Sequence, residues 1–225
     1  MPTIAGIKYH LGEAYLHTVK HLRNRSFQVI NKLPNRPTVD LGGYVSLRAK
    51  LEGVIKNIRV HRGAAVREHA WLNCMDKGSF IEIGERTLIM PYAKLVAGFD
   101  GFLKIGKNCT VHSFDVLYGY TGGLTIGDNV RTGVNVNVIS ANHSFEDISL
   151  SPNDQGGSSK GIVIHDNVWI GAGVTILDGV EIGANAVLGA GAVVTKNMPE
   201  DSVCLGVPAV AVRKRGEKIV KEPKS

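Results

Sequence analysis

From Ile164 onward an aliphatic residue recurs at every sixth position: Ile164, Ile170, Ile176, Ile182, Leu188 and Val194. Three residues after each comes only Asn or Gly, at Asn167, Gly173, Gly179, Asn185, Gly191 and Asn197. A further small or apolar residue follows at once, from Val168 through Val174, Val180, Ala186 and Ala192 to Met198. This spacing fits neither the helical period nor the two-residue alternation of an ordinary strand. It predicts a short strand, a corner, and another short strand. Corners often need a left-handed backbone conformation, which Gly adopts freely and Asn tolerates best among the rest. Three such hexads close one triangular coil of about 18 residues, and a solenoid of this kind buries its core only by stacking coils.

The same frame runs upstream with interruptions. Ile126, Thr132 and Val138 form one predicted coil, and Ile105, Val111 and Leu117 another. Ile83, Ile89 and Leu95 form a third, and Val60, Val66 and Leu72 a fourth. A weaker coil is predicted to begin near Leu41. Interruptions fall at 76–80, 98–101, 120–123 and, longest by far, 144–163, an insertion of 20 residues and so long enough to suggest a functional loop. Residues 4–30 change period: Ile4, Ile7, Leu11, Tyr15, Val19 and Leu22 are spaced as on a helix. The expected organisation is a helical extension over 1–38, a β-solenoid of about seven coils over 39–212, and a short charged C-terminal tail over 213–225.

Composition supports thin aliphatic layers, since aromatic residues are 6% of the chain and Gly accounts for 27 of 225 residues. The net charge of +6 is concentrated in 1–38 and 213–225, and the stretch between them is net acidic. A nucleic-acid binder would show a basic stripe on its folded body, so that partner is ranked low. Cys74, Cys109 and Cys204 are odd in number and contain no CxxC pair, which fits reduced, buried thiols in a cytoplasmic protein. No apolar run approaches membrane-spanning length. His17 and His21, four apart on the predicted helix, have metal-ligand spacing but no evident third ligand, so no metal site is expected.

Three stretches point to a family: Asn167-Val168-Trp169-Ile170-Gly171, Gly189-Ala190-Gly191-Ala192-Val193-Val194-Thr195-Lys196, and Gly206-Val207-Pro208-Ala209. They resemble the hexapeptide-repeat acyltransferases, in particular the maltose and galactoside O-acetyltransferases and their polysaccharide-modifying relatives. The resemblance is strong over 105–213, moderate over 41–104 and absent over 1–38. It implies a left-handed parallel β-helix, an exception to the right-handed crossover rule. It also implies a homotrimer with acetyl-CoA in the cleft between subunits and no metal requirement.

His143 sits at the last position before the long insertion, where the family places its catalytic histidine. Acyl transfer from a thioester needs a base for the acceptor's hydroxyl proton, and a residue titrating near neutrality suits that role. Asn142 and Asp115 are candidates to contact the acceptor; their bland readings are a turn Asn and a solvated Asp. The sugar-acetylating relatives present an Asn near Asp115, and this chain has none there. By the resemblance, Trp169, Gly171, Ala172, Gly189 and Ala190 line the pantetheine channel, and Thr195, Lys196 and Arg213 lie near the adenine and phosphates. Gly and Ala are also what corners require, whatever they bind.

The expected activity is therefore acetyl transfer from acetyl-CoA to a sugar or surface-polysaccharide precursor. The stretch 151–157, with its Pro-x-x-Gln-Gly pattern, resembles the polysaccharide-modifying relatives. The basic segment 1–38 is of a kind that sits on anionic membranes or caps a solenoid end. Competing readings are an acetyltransferase for a free sugar, an antibiotic or an amino acid, and a purely structural β-helix. A carbonic-anhydrase-like solenoid would need two zinc histidines five apart, which 61–165 does not contain.

Overall fold

The structure is a computed structural model and describes residues 36–217. Strands of two to five residues form three long sheets, two of seven strands and one of nine. Apart from the antiparallel pairs Asn142–His143 with Gly157–Ser158 and Ser202–Leu205 with Val210–Lys214, consecutive strands go to different sheets and every third returns to the same one, so the chain winds as a parallel solenoid of three faces and seven coils. The sixth coil is representative: Ile162–Ile164 lies on the first face, Trp169–Ile170 on the second and Thr175–Ile176 on the third.

The hexad frame is the core. Val60, Ile83, Ile105, Ile126, Ile164 and Ile182 are stacked in register on the first face. Val66, Ile89, Val111, Thr132, Ile170 and Leu188 line the second. Leu72, Leu95, Leu117, Val138, Ile176 and Val194 line the third. All are buried. Each fully buried aliphatic side chain contributes about 1.5–3 kcal/mol by leaving water. The first coil begins at Val39, in the strand Thr38–Val39, two residues before the exposed Leu41. Its frame, Val39–Val45–Leu51, continues the same period of six upstream.

Left-handed backbone marks the corners. Asn108, Asn129, Asn167 and Asn185, with φ between 57° and 61°, hold the first corner of their coils. Gly173 and Gly191 hold the second in the last two coils, and Gly179 the third in the sixth. Asn197 differs: its φ is not positive, and its side-chain oxygen instead accepts the Glu181 N–H at 2.9 Å, because no further regular coil follows it. The interruptions at 76–80, 98–101, 120–123 and 144–163 all fall at the third corner, so that one edge carries every insertion while the other two stay regular.

The C-terminal end is closed by the chain itself. Gly206 and Ala209 bond the backbone of Val193, and Val210–Lys214 turns back antiparallel to Ser202–Leu205 on the second face. Strand therefore runs past the expected start of the tail at 213. Arg215 donates to the Asn167 and Asn185 carbonyls at 3.1 and 2.9 Å and clamps this strap to the first corner. The helix expected over 1–38 lies outside the described residues except at 36–38, where Thr38 already opens the first strand. Among the described residues no helix is long and apolar enough to cross a membrane.

Candidate functional site

The long insertion leaves the third corner of the fifth coil and is pinned at both ends. Ser140 Oγ donates to the Tyr118 carbonyl at 2.8 Å and accepts the Tyr120 N–H at 2.9 Å. Ser159 Oγ donates to the Ser140 carbonyl and accepts the Gly122 N–H. The Asp178 carboxylate, one coil on, receives the N–H groups of Lys160 and Gly161, all at 2.9 Å. Between these anchors Asn142–His143 pairs antiparallel with Gly157–Ser158, a two-stranded ribbon standing off the solenoid. His143 lies opposite Gly157, and Ser144 N–H donates to the Gly156 carbonyl at 3.1 Å.

The outer loop organises itself around Gln155. Its amide oxygen accepts the Asp147 N–H at 2.9 Å and its amide nitrogen donates to the Leu150 carbonyl at 3.1 Å. Asp147 in turn receives the hydroxyl and N–H of Ser149, and the hydroxyl bond is the chief cause holding its carboxyl below the usual range. The Pro-x-x-Gln-Gly stretch thus has a visible structural duty: the glutamine bridges the loop that carries His143.

Asn142 and His143 are both exposed, and among the described residues the His143 ring makes no hydrogen bond or ion pair. Asp115 is the opposite case. It is fully buried, and its carboxylate receives the His112 N–H, the Thr132 hydroxyl and the Val136 N–H. This corrects both the acceptor-contact reading and its alternative of a solvated Asp: the carboxylate is buried and accepts three hydrogen bonds from within the chain. Burial pushes its carboxyl up to about 6, against the three hydrogen bonds that pull it down. Thr132 is the one polar residue in the inward rows named above, and its hydroxyl is explained by this carboxylate. Sequence spacing alone presents Thr132 as a mere frame residue.

The residues expected at the cofactor divide among three places. Ala172 and Ala190 occupy the second corner, one coil apart, with Gly191 N–H donating to the Ala172 carbonyl at 2.8 Å. A Cβ on Gly171 would lie 2.6 Å from the Ala190 nitrogen, so that glycine is required by coil stacking itself. A Cβ on Gly189 would meet the Leu205 side chain at 2.0 Å. Trp169 stands outward on the second face between Arg131 and Val187, and it is 54% exposed. Arg213 lies in the returning strand, its guanidinium donating to the Lys214 and Glu217 carbonyls. Thr195 and Lys196 lie at the third corner of the last coil, and both are exposed.

One prism therefore brings Asn142, His143, Thr195 and Lys196 to its third corner, and Ala172 and Ala190 to its second, with the third face between them. The thiols lie apart from all of these: Cys74 and Cys109 are buried, and desolvation raises each to about 11, so they are unsuited to nucleophilic work. No group of three or more metal-ligating side chains exists among the described residues.

Comparison with known proteins agrees with this architecture. Residues 161–196 match the bacterial transferase hexapeptide family (six repeats). The galactoside O-acetyltransferase of Lactococcus lactis is 35% identical over 139 residues, 61% of this chain and 65% of that enzyme. The chain thus spans just under two thirds of that relative. WbbJ of Escherichia coli K12, whose name assigns it provisionally to O-acetyl transfer in lipopolysaccharide biosynthesis, is 31% identical over 182 residues, covering 74% of this chain and 92% of WbbJ. Among solved structures, a single-residue mutant of the N-acyltransferase AntD from Bacillus cereus superposes with a TM-score of 0.56 at 18% identity, over 82% of this chain and 87% of that one, a likeness of fold. The coverage of WbbJ, the family match and the stacked hexads together place the chain in the hexapeptide-repeat acyltransferase family.

Proposed function

We propose that this chain transfers an acetyl group from acetyl-CoA to a hydroxyl of a sugar or surface-polysaccharide precursor, with His143 as general base. The observation that carries the reading is the pinned insertion. A solenoid that tolerates only short interruptions elsewhere anchors one long loop at both ends and holds on it an imidazole with no partner among the described residues. The relatives named for galactoside and lipopolysaccharide O-acetylation supply the substrate class. The proposal takes the prism as left-handed and the enzyme, with its donor, as cytoplasmic.

In this mechanism a ring nitrogen of His143 removes the acceptor's hydroxyl proton as the oxygen attacks the thioester carbonyl. The tetrahedral intermediate collapses with loss of the thiolate, which takes the proton back from the imidazolium. A backbone N–H facing the new oxyanion would stabilise it. Asn142, paired beside His143, orients the acceptor, and Trp169, Ala172 and Ala190 offer an indole and open backbone to the pantetheine arm. Thr195, Lys196 and Arg213 face its phosphates and adenine.

The reading includes a homotrimer. His143 and the Ala172–Ala190 strip occupy different corners of one prism, so a shared site forms when the third corner of one copy meets the second corner of the next. Such a head-to-tail contact makes a closed trimer when its rotation is one third of a turn, which is the geometry proposed here. The test is thiol release from acetyl-CoA with a panel of glycan acceptors. His143→Ala is expected to slow transfer about 100-fold or more while leaving acetyl-CoA binding near its original value. Full rate in that variant overturns the assignment of the base, and thiol release that no acceptor accelerates overturns the transferase reading.

A further inference from the structure

The second corner holds an anomaly. In the last three coils its left-handed position is Asn135, Gly173 and Gly191, the residue types that tolerate such backbone. In the second, third and fourth coils the same position is His69, Tyr92 and Phe114, at φ 60°, 65° and 66°. An aromatic side chain there is strained, and strain of this kind points to a use. The three rings stack along the prism axis, His69 on Tyr92 at 5.1 Å and 12°, Tyr92 on Phe114 at 5.4 Å and 8°. Yet they are not sheltered: Tyr92 is 49% and Phe114 57% exposed.

The base of this ladder is built rather than incidental. Buried Asp115 holds the Phe114 turn from below through the His112 N–H at 2.8 Å, and the Ser113 N–H donates to His112 Nδ1 at 2.9 Å. An inward hydroxyl, a buried carboxylate and a strained exposed ring thus coincide at one corner. Local rules broken together mark functional places. From Pro91 onward, the two tip residues of every second corner are uncharged. The ladder lies on the same corner as the strip of Ala172 and Ala190, with Val134 and Asn135 of the fifth coil between them.

We propose that His69, Tyr92 and Phe114 form a track for the acceptor glycan, so that this protein acetylates an uncharged oligosaccharide of several residues rather than a free monosaccharide. The inference rests on the transferase reading above and deepens it. Sugar rings carry apolar C–H faces that pack on aromatic rings, while their hydroxyls stay hydrated. Stepped rings at even spacing offer repeated contacts to a chain of sugars and little to a single one. Uncharged tips at Tyr92 and Phe114, with the acidic Glu68 beside His69, suit a neutral chain over a phosphorylated or uronic one. Continuity with the corner strip puts the end of that chain where the acetyl group is expected.

The test uses the double variant Tyr92→Asn, Phe114→Asn, which restores the residue type found at Asn135, in the full-length protein. Binding is read on an array of neutral and acidic oligosaccharides of one to six residues. Melting temperature, acetyl-CoA binding and sedimentation are read in parallel. The expected result is a preference for longer neutral chains in the unaltered protein, reduced at least tenfold in the variant. The variant should melt no lower, because the strain is relieved, and should keep its acetyl-CoA binding and its mass. No length preference, a preference for acidic chains, or a preference that survives the substitutions overturns the track. A variant that melts markedly lower makes the ladder structural, and one that changes mass makes it a subunit contact; either result overturns the proposal. Failure of the unaltered protein to bind acetyl-CoA would count against the transferase reading instead, with the array result standing on its own.

Discussion

Asp115 shows how far a residue's surroundings can redirect its reading. In the sequence it reads either as an acceptor contact or as a solvated acid; in the fold it is fully buried and accepts three hydrogen bonds. Its carboxyl is raised to about 6 because burial disfavours the charged form more than the hydrogen bonds favour it. The folded chain therefore binds this proton more tightly than the unfolded chain does. The resulting stabilisation is fully present below the ordinary value of 3.8 and is lost as pH rises through about 6. A shift of about two units corresponds to on the order of 3 kcal/mol. Asp115→Asn should flatten the dependence of urea-unfolding stability on pH between 4 and 7. Parallel curves for the variant and the unaltered protein would show that Asp115 titrates alike in both states.

At the scale of the hexad, glycine serves two separate purposes, and they can be told apart by substitution. Gly173 has φ 69° and nothing within 4 Å of where a Cβ would stand, so it is needed for its backbone conformation alone. Gly173→Ala should cost about 1–2 kcal/mol, the ordinary penalty for left-handed backbone. Gly171 has no such φ, but its Cβ would meet the backbone of the next coil at 2.6 Å. Gly171→Ala must push two coils apart, so it should destabilise more than Gly173→Ala in chemical unfolding. A reversed order would mean that coil spacing relaxes easily, against the tight register of Trp169–Ile170 on Val187–Leu188. The frame itself was legible because core stacking repeats one choice many times. The first coil is fainter in the sequence because Leu41 is hydrophobic yet exposed, while Val39 carries the register.

For the molecule as a whole, seven coils provide stability and one edge carries every insertion. The insertion is bonded to the solenoid at its two ends, through Ser140, Ser159 and Asp178, and its outer part is held by its own Asp147 and Gln155. Replacing residues 144–156 by an Asn-Gly turn between His143 and Gly157 keeps the ribbon pairing, since two-residue turns of that type suit antiparallel strands. The far-ultraviolet spectrum and melting temperature should then stay close to the original, while transfer to a glycan falls at least tenfold. Collapse of the fold in that variant would show the loop to be part of the solenoid's stability.

By itself the sequence determined the solenoid, its three faces, the inward residue of nearly every strand and the place of the long loop. Each of these follows from a local pattern repeated until it leaves no other solution. The position of His143 on the long loop was legible because it stands at the point where the period breaks. Tertiary structure alone decided what coil stacking brings together from 17 or more positions apart: Asp115 under Thr132 and Val136, the aromatic rings of three coils in one ladder, and the division of the expected cofactor residues between two corners and a face. Those relations depend on which corner a residue occupies. That assignment is fixed by counting the coils, including the uneven insertions that all gather on one edge, and no single stretch of sequence contains it.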